Sequence, residues 1–242
     1  MELGKKVAIV TGASRGIGKA ISLALSRENC DLMISSNFEN EINETSDLIR
    51  KIGTGKVKAF YTDLTLEENI FKLIEETVKI FKRIDILINN AAICLEKPII
   101  ETTTEEWDKV MNINLRAPFI LMREALKIMK EKKDGYIINI SSAIVKSPYV
   151  GFGPYCASKF GLMGLSKSLY EESSTYNYNI KVSTIYPDLV KTSMTKANKA
   201  CSNLPSYKFS TPDDIANAII YLLKNSESCI IEDLFIMSKR FL

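Results

Sequence analysis

The chain has 242 residues, 46% of them hydrophobic, and 32 basic against 29 acidic side chains give a formal charge of +3. Those charges are scattered without a basic run, which excludes a nucleic-acid footprint, and no apolar run is long enough to suggest a membrane span. Histidine is absent, so Ser-His-Asp and Cys-His catalysis and the commonest zinc sites are excluded and no metal is expected.

No linker or low-complexity stretch divides the sequence, which predicts a single domain over 1–242. The cysteines at 30, 94, 156, 201 and 229 form no CxxC pair and read as free thiols of a reducing compartment. Cys156 reads as a small buried hydrophobe rather than a redox thiol. With no apolar leader and cleavage site after Met1, the expected location is cytoplasmic.

In chain order, short β-branched runs alternate with helix-period segments, the pattern of an α/β, doubly wound parallel sheet of about seven strands with helices on both faces. The predicted strands are 6–10, 31–35, 57–61, 84–88, 136–140, 180–186 and 230–237. Between the first two, Ile17, Ala20, Ile21, Ala24 and Leu25 recur at helical spacing; between the third and fourth, Ile70, Leu73, Ile74, Val78 and Phe81 do the same. Thr65 with Glu68, Thr103 with Glu106 and Thr211 with Asp214 read as capping boxes or their Asp variant, and Pro212 suits a first helical position. Lys130 to Lys133, followed by Asp134-Gly135, reads as the solvated end of a helix. Right-handed crossovers put ligands at the carboxyl ends of the strands, where Gly12, Asn89 and Ser142 should share a rim.

Thr11-Gly12-Ala13-Ser14-Arg15-Gly16-Ile17-Gly18 turns from a strand into a helix. Bare Cα atoms at its glycines would let a pyrophosphate approach the backbone amides of a helix N-terminus. Further on, Tyr155 and Lys159 stand one helical turn apart, downstream of Ser142. Reduction of a carbonyl develops an alkoxide, which needs an acid within hydrogen-bond reach, and Tyr155 is the candidate. An ordinary phenol titrates near ~10; a cation at ~4 Å in an effective dielectric near ~20 is worth on the order of 4 kcal/mol, enough to lower it by about two to three pH units. Lys159, on the same helix face, is placed to be that cation.

These motifs, with Asn89-Asn90-Ala91-Ala92 after the fourth strand and Asn114 in a helix, resemble the short-chain dehydrogenase/reductase family from about residue 5 to residue 237, most of all its 3-oxoacyl carrier-protein reductase members. The resemblance implies a Rossmann-type fold and an NAD(P)(H)-dependent interconversion of ketone and secondary alcohol. It implies that Lys159 also bonds the nicotinamide ribose, that Ser142 orients the substrate oxygen and that Asn114 holds a water of the proton relay. It assigns cofactor contacts to Gly12, Ser14, Arg15, Gly16, Ile17, Gly18, Asn90, Ala91, Tyr155, Lys159, Pro187 and Thr192. Asp63-Leu64 would meet the adenine, unless Asp63 is a loop aspartate bonding its own backbone.

Cofactor choice rests on the end of the second strand, where Ile34-Ser35-Ser36-Asn37 offers no carboxylate for a ribose 2′-hydroxyl. Arg15 could pair a 2′-phosphate, although a solvated surface arginine is the alternative. NADP(H) is therefore preferred, NAD(H) remaining usable, with Ser36 and Asn37 at the ribose. Three positions depart from the family: Ala92 and Asp188 replace glycines, and the last strand lacks the Asp-Gly-Gly ending; Asp188 puts a carboxylate near the expected carboxamide.

The segment 191–210, with Met194, Leu204, Pro205, Tyr207 and Phe209 among Lys191, Lys196, Lys199 and Lys208, is predicted to be a mobile lid over a small-molecule carbonyl or alcohol. Its charge would suit an acidic carrier bearing a 3-oxoacyl thioester. Two other readings remain: a non-catalytic dinucleotide-binding regulator, and an epimerase or dehydratase with bound NAD, whose relatives carry a larger C-terminal domain. A homodimer or homotetramer is implied by resemblance, with Phe119, Met122, Leu126 and Met129 as a seam or equally as a core face.

Overall fold

The computed structural model describes residues 2–197, 205–226 and 228–239. Seven strands form one parallel sheet: β1 (Val7–Thr11), β2 (Asp31–Ser36), β3 (Val57–Tyr61), β4 (Ile86–Asn89), β5 (Gly135–Ile140), β6 (Ile180–Pro187) and β7 (Asp233–Ile236). Their order is β3-β2-β1-β4-β5-β6-β7. The winding reverses between β1 and β4, and a crevice opens there at the carboxyl ends of the strands.

Both faces of the sheet are covered, so its central strands are apolar throughout rather than alternating with polar residues. Ala8, Val10, Ile86 and Ile88 pack on one side with Ile21 and Leu25 of α1 (Gly16–Arg27). The same core takes Ile42 of α2 (Glu39–Ile52) and Ile215 and Ile219 of α8 (Pro212–Lys224). Ile9, Met33, Leu87 and Ile137 face the other way, onto Ile70 and Leu73 of α3 (Glu67–Phe81), Leu121 of α5 (Ala117–Lys132) and Leu162 of α6 (Gly153–Thr175).

Helix ends follow local chemistry where side chains are free to cap. The Thr103–Glu106 and Thr211–Asp214 boxes both form, the first opening α4 (Thr104–Met111), and Pro212 takes the first position of α8. The Thr65–Glu68 box does not form. Thr65 instead donates to Asp63 Oδ1 at 2.7 Å, which also accepts from Thr65 N, so α3 starts later, at Glu67. The Lys130–Lys133 cluster is the end of α5, where Lys133 takes a left-handed φ of 51.

The fourth strand begins at Ile86 rather than 84 because Asp85 is used as an anchor. Its buried carboxylate takes two hydrogen bonds from Arg83 Nε at 2.9 and 2.7 Å and one from Arg83 Nη2 at 2.5 Å, and Oδ2 accepts from Val7 N at 2.8 Å. Arg83, in turn, is held above its ordinary pKa by that carboxylate. The last strand spans only Asp233–Ile236 of the expected 230–237. Of the two readings left open for this face of α5, the core one holds for Met122 and Met129, with Leu126 packed against that core, while Phe119 stays exposed. No described helix is long and apolar enough to cross a membrane.

Replacing Asp85 by Ala would leave a buried strand amide unpaired and strip Arg83 of its partner. An unfolding free energy lowered by about 2–4 kcal/mol in urea titration is expected, with an unchanged m-value.

Candidate active site

From Thr11 the chain turns through Gly12 and Gly16, whose φ values of 64 and 56 lie in the left-handed region, into α1. A Cβ at Gly18 would stand 2.3 Å from the Gly12 carbonyl oxygen and 2.5 Å from Asn90 Nδ2, so only glycine permits this approach. Asn90 Nδ2 donates to the carbonyls of Thr11 at 2.9 Å and Gly12 at 3.1 Å, while Thr11 Oγ1 accepts from the backbone amides of Asn90 and Ala91. The Asn90 amide nitrogen thus holds the turn itself, although the residue still lines the cavity. Arg15 at the N-cap of α1 makes no side-chain cap bond, which leaves first-turn amides without an internal partner beside the cavity wall. This cradle fits a dinucleotide pyrophosphate.

All the expected site residues except Gly18 and Asn114 line one cavity of about 630 Å³. Gly18 contributes through the close approach above. Asn114 lies in a turn of π-helix, Asn112–Arg116, and is fully buried. Its Oδ1 accepts from Ile93 N at 2.9 Å, and its Nδ2 donates to Ile93 O at 2.8 Å and Ser158 Oγ at 3.1 Å. The side chain therefore ties the loop after β4 to α6 and does not face the cavity. Asn89 is likewise turned inward, donating to Asn139 Oδ1 at 2.8 Å, so the rim beside Gly12 begins at Asn90.

Ser142 follows β5, and Tyr155 and Lys159 come from the first turns of α6. Lys159 Nζ is 5.6 Å from the centre of the Tyr155 ring and donates to Ile140 O at 2.8 Å, which fixes the ammonium against the end of β5. The lysine is 2% exposed, and burial brings its pKa down to about 8. Burial also raises the Tyr155 phenol above its ordinary value, Cys94 adds to the rise, and the Ser142 hydroxyl bonded to it acts the other way. The expected lowering of the tyrosine is thus not what the fold produces: desolvation dominates, and the opposing influence comes from the Ser142 hydroxyl. Cys156 is half-buried, with its thiol also raised by burial.

Ser36 Oγ donates to Ser14 Oγ at 3.0 Å, joining the end of β2 to the glycine turn. Asp63 lines the cavity, yet its Oδ1 is taken by Thr65, so the self-bonding turn exists at an adenine-side position. Ala92 is not among the residues with positive φ and fits as alanine. Asp188 lines the cavity too, but its Oδ2 accepts from Ser238 Oγ at 2.6 Å and Ser238 N at 3.3 Å, which directs that oxygen to the chain after β7.

The segment after β6 is pinned at its base. Val190 bridges Ser210, Lys191 N donates to Ser210 O, and Ser210 N donates to Leu189 O, both at 2.9 Å. Thr192 caps the short α7 (Ser193–Lys196), and Met194 lines the cavity. Lys199, Leu204 and Cys201 lie outside the described residues. The apolar wall formed by Cys94, Ile144, Tyr149, Phe152 and Leu189 was not singled out from sequence. The aromatic pair between Ser142 and Tyr155 was the signal available for it.

The short chain dehydrogenase family profile matches residues 6–202. A 3-oxoacyl-(acyl-carrier-protein) reductase of Rickettsia conorii is 36% identical over 236 residues, 95% of this chain and 94% of that protein. The corresponding reductase of Thermotoga maritima is 30% identical over 240 residues, 95% of each. Among solved structures, a metagenomic short-chain oxidoreductase in complex with NADP superposes with a TM-score of 0.85 at 29% identity, covering 98% of this chain and 99% of that one. A dehydrogenase/reductase from Sinorhizobium meliloti 1021 gives 0.87 at 30% identity, with 98% and 96% covered.

Lys159 yields a linkage test. Its folded pKa of about 8 lies below its ordinary 10.5, so between those values the unfolded chain holds more protons and stability rises with pH. Relative to Lys159→Met, the wild type should gain about 3 kcal/mol of unfolding free energy across that window, measured by denaturant titration at successive pH values.

Proposed function

We propose, from the premise that the chain belongs to the short chain dehydrogenase family and is an NAD(P)(H)-dependent oxidoreductase, that it reduces a 3-oxoacyl thioester carried on an acidic carrier to the 3-hydroxyacyl form. The observation that carries this reading is the meeting of Ser142, Tyr155 and Lys159 on the wall that also holds the glycine turn. A regulator that only bound a dinucleotide would have no use for that trio, and the carrier-protein reductases this chain resembles are matched over 94 to 95% of their length. Identities of 30 to 36% to carrier-protein reductases and the apolar wall beyond Tyr155 support the acyl substrate.

The nicotinamide, when bound, supplies the hydride to the carbonyl carbon. Ser142 holds the carbonyl oxygen through its hydroxyl, and Tyr155 donates its proton as charge develops there. Lys159 stays protonated at neutral pH, one unit or so below its value of about 8, and stabilises the phenolate left behind. The buried position serves this purpose: a raised phenol pKa keeps the proton on Tyr155 until the alkoxide draws it off. Asn114 acts at one remove, fixing α6 to the loop after β4. The family-type cofactor contacts run from the glycine turn to Asn90, Pro187 and Thr192, and Arg15 favours NADP(H) through a 2′-phosphate. The segment 191–210 acts as the substrate lid of the single domain, with Lys191 and Lys196 exposed toward a carrier. Location in the cytoplasm accords with this reading.

Self-association is proposed across the exposed aromatic residues Trp107, Phe119 and Phe160 on α4, α5 and α6. Phe119→Asp should sediment as a smaller species than the wild type in equilibrium centrifugation.

Tyr155→Phe should lower kcat for a 3-oxoacyl thioester by about 10²- to 10⁴-fold while leaving NADPH binding intact, followed at the NADPH absorbance band. In the wild type, kcat/KM for reduction should fall as pH rises through about 8, where Lys159 loses its charge. Retained activity in Tyr155→Phe would defeat the assignment.

A further inference from the structure

The end of β2, Ser35-Ser36-Asn37, carries no carboxylate, but the fold brings one to that corner from elsewhere. Glu41, in the first turn of α2, places Oε1 3.6 Å from Arg15 Nη1. Phe38, the N-cap residue of α2, lies under the same guanidinium, 4.2 Å from ring centre to Cζ. Arg15, Ser36, Asn37 and Phe38 all line the cavity.

The position of Glu41 relative to the glycine turn is built into the backbone. Thr45 Oγ1 shares its one proton between Ser14 O at 3.1 Å and Glu41 O at 3.0 Å, so one buried hydroxyl ties the first turn of α2 to the residue before Arg15. The Phe38 ring packs against the guanidinium and holds it at this corner, within ion-pair distance of the carboxylate.

At 3.6 Å the Arg15–Glu41 contact is an ion pair without a hydrogen bond, and its side chains are 50% and 39% exposed. The donors of Arg15 are therefore free to turn to a phosphate, but the anionic carboxylate stays beside them. We propose that Glu41 is a specificity-determining residue that weakens the preference of this chain for a 2′-phosphate over a 2′-hydroxyl. It does so by offsetting the charge of Arg15 and by repelling the phosphate dianion. This rests on the reading in which Arg15 meets the adenosine 2′-phosphate.

Glu41 accordingly moderates the selectivity that Arg15 creates, and it keeps NAD(H) within reach of a site otherwise suited to NADP(H). An uncharged 2′-hydroxyl gains nothing from its removal. The pair is exposed, so the effect is modest and is screened by salt.

The test is equilibrium binding of 2′,5′-ADP and of 5′-AMP, by calorimetry, to the wild type, Glu41→Gln and Arg15→Gln. Glu41→Gln should bind 2′,5′-ADP about two- to fivefold tighter at low salt, with 5′-AMP unchanged and the gain shrinking as salt rises. Arg15→Gln should lose the discrimination between the two ligands. Equal or weaker binding of 2′,5′-ADP by Glu41→Gln, with discrimination by the wild type intact, would overturn the role of Glu41 alone. A wild type that binds both ligands equally would overturn the cofactor reading and this inference together.

Discussion

The approach of Gly18 to the Gly12 carbonyl, with the Asn90 amide beside them, is the contact on which the site depends. Side chains at those glycines would push α1 away from the ends of β1 and β4, where the winding of the sheet reverses. With α1 drawn in, its unpaired first-turn amides face the crevice, and the same packing brings the loop after β4 across the glycine turn. Thr11 reinforces this from below, its hydroxyl accepting from two successive amides of that loop. One steric allowance and four hydrogen bonds thus fix where an anionic ligand can lie before any charged side chain is considered.

The chemistry at the other end of the crevice is governed by desolvation. Lys159 and Tyr155 are drawn toward their neutral forms together, the amine downward and the phenol upward. An exposed pair of the same residues would lack that tension. The ammonium is tolerated because Ile140 O accepts from it, and the strand end that provides this carbonyl leads directly to Ser142. Acid, cation and substrate-orienting hydroxyl are therefore set by two elements, β5 and α6, which meet across buried hydrogen bonds from Lys159 Nζ to Ile140 O and from Asn139 Nδ2 to Ser166 Oγ.

Asn114 and Asp188 show how polar residues near such a site can be consumed by the scaffold. Each presents a group of suitable chemistry, yet the carboxamide of Asn114 is fully engaged with Ile93 and Ser158, and one oxygen of Asp188 is engaged by Ser238. Buried polar atoms without partners are costly, so proximity to a cavity gives no guarantee of facing it. The adenosine corner shows the converse, since Glu41 comes from a helix turn beyond the strand end where a carboxylate would be sought.

The alternation of strands and helices along the chain, the glycine turn, the Tyr155–Lys159 pair and two of three capping boxes were legible in the residues because each depends on local spacing: period 2, period 3.6, or a fixed cap offset. The failed box at Thr65 shows the limit, for Asp63 competed for the same hydroxyl within a turn. Burial signs were not legible in that way. Whether Tyr155 is pushed up or down, whether Met122 and Met129 face a partner or the core, and which carboxylate stands beside Arg15 all depend on atoms distant in the chain. Desolvation and pairing are properties of the folded neighbourhood, so residue types and their spacing set which groups could react, while long-range packing set which of them are charged, engaged or free to do so.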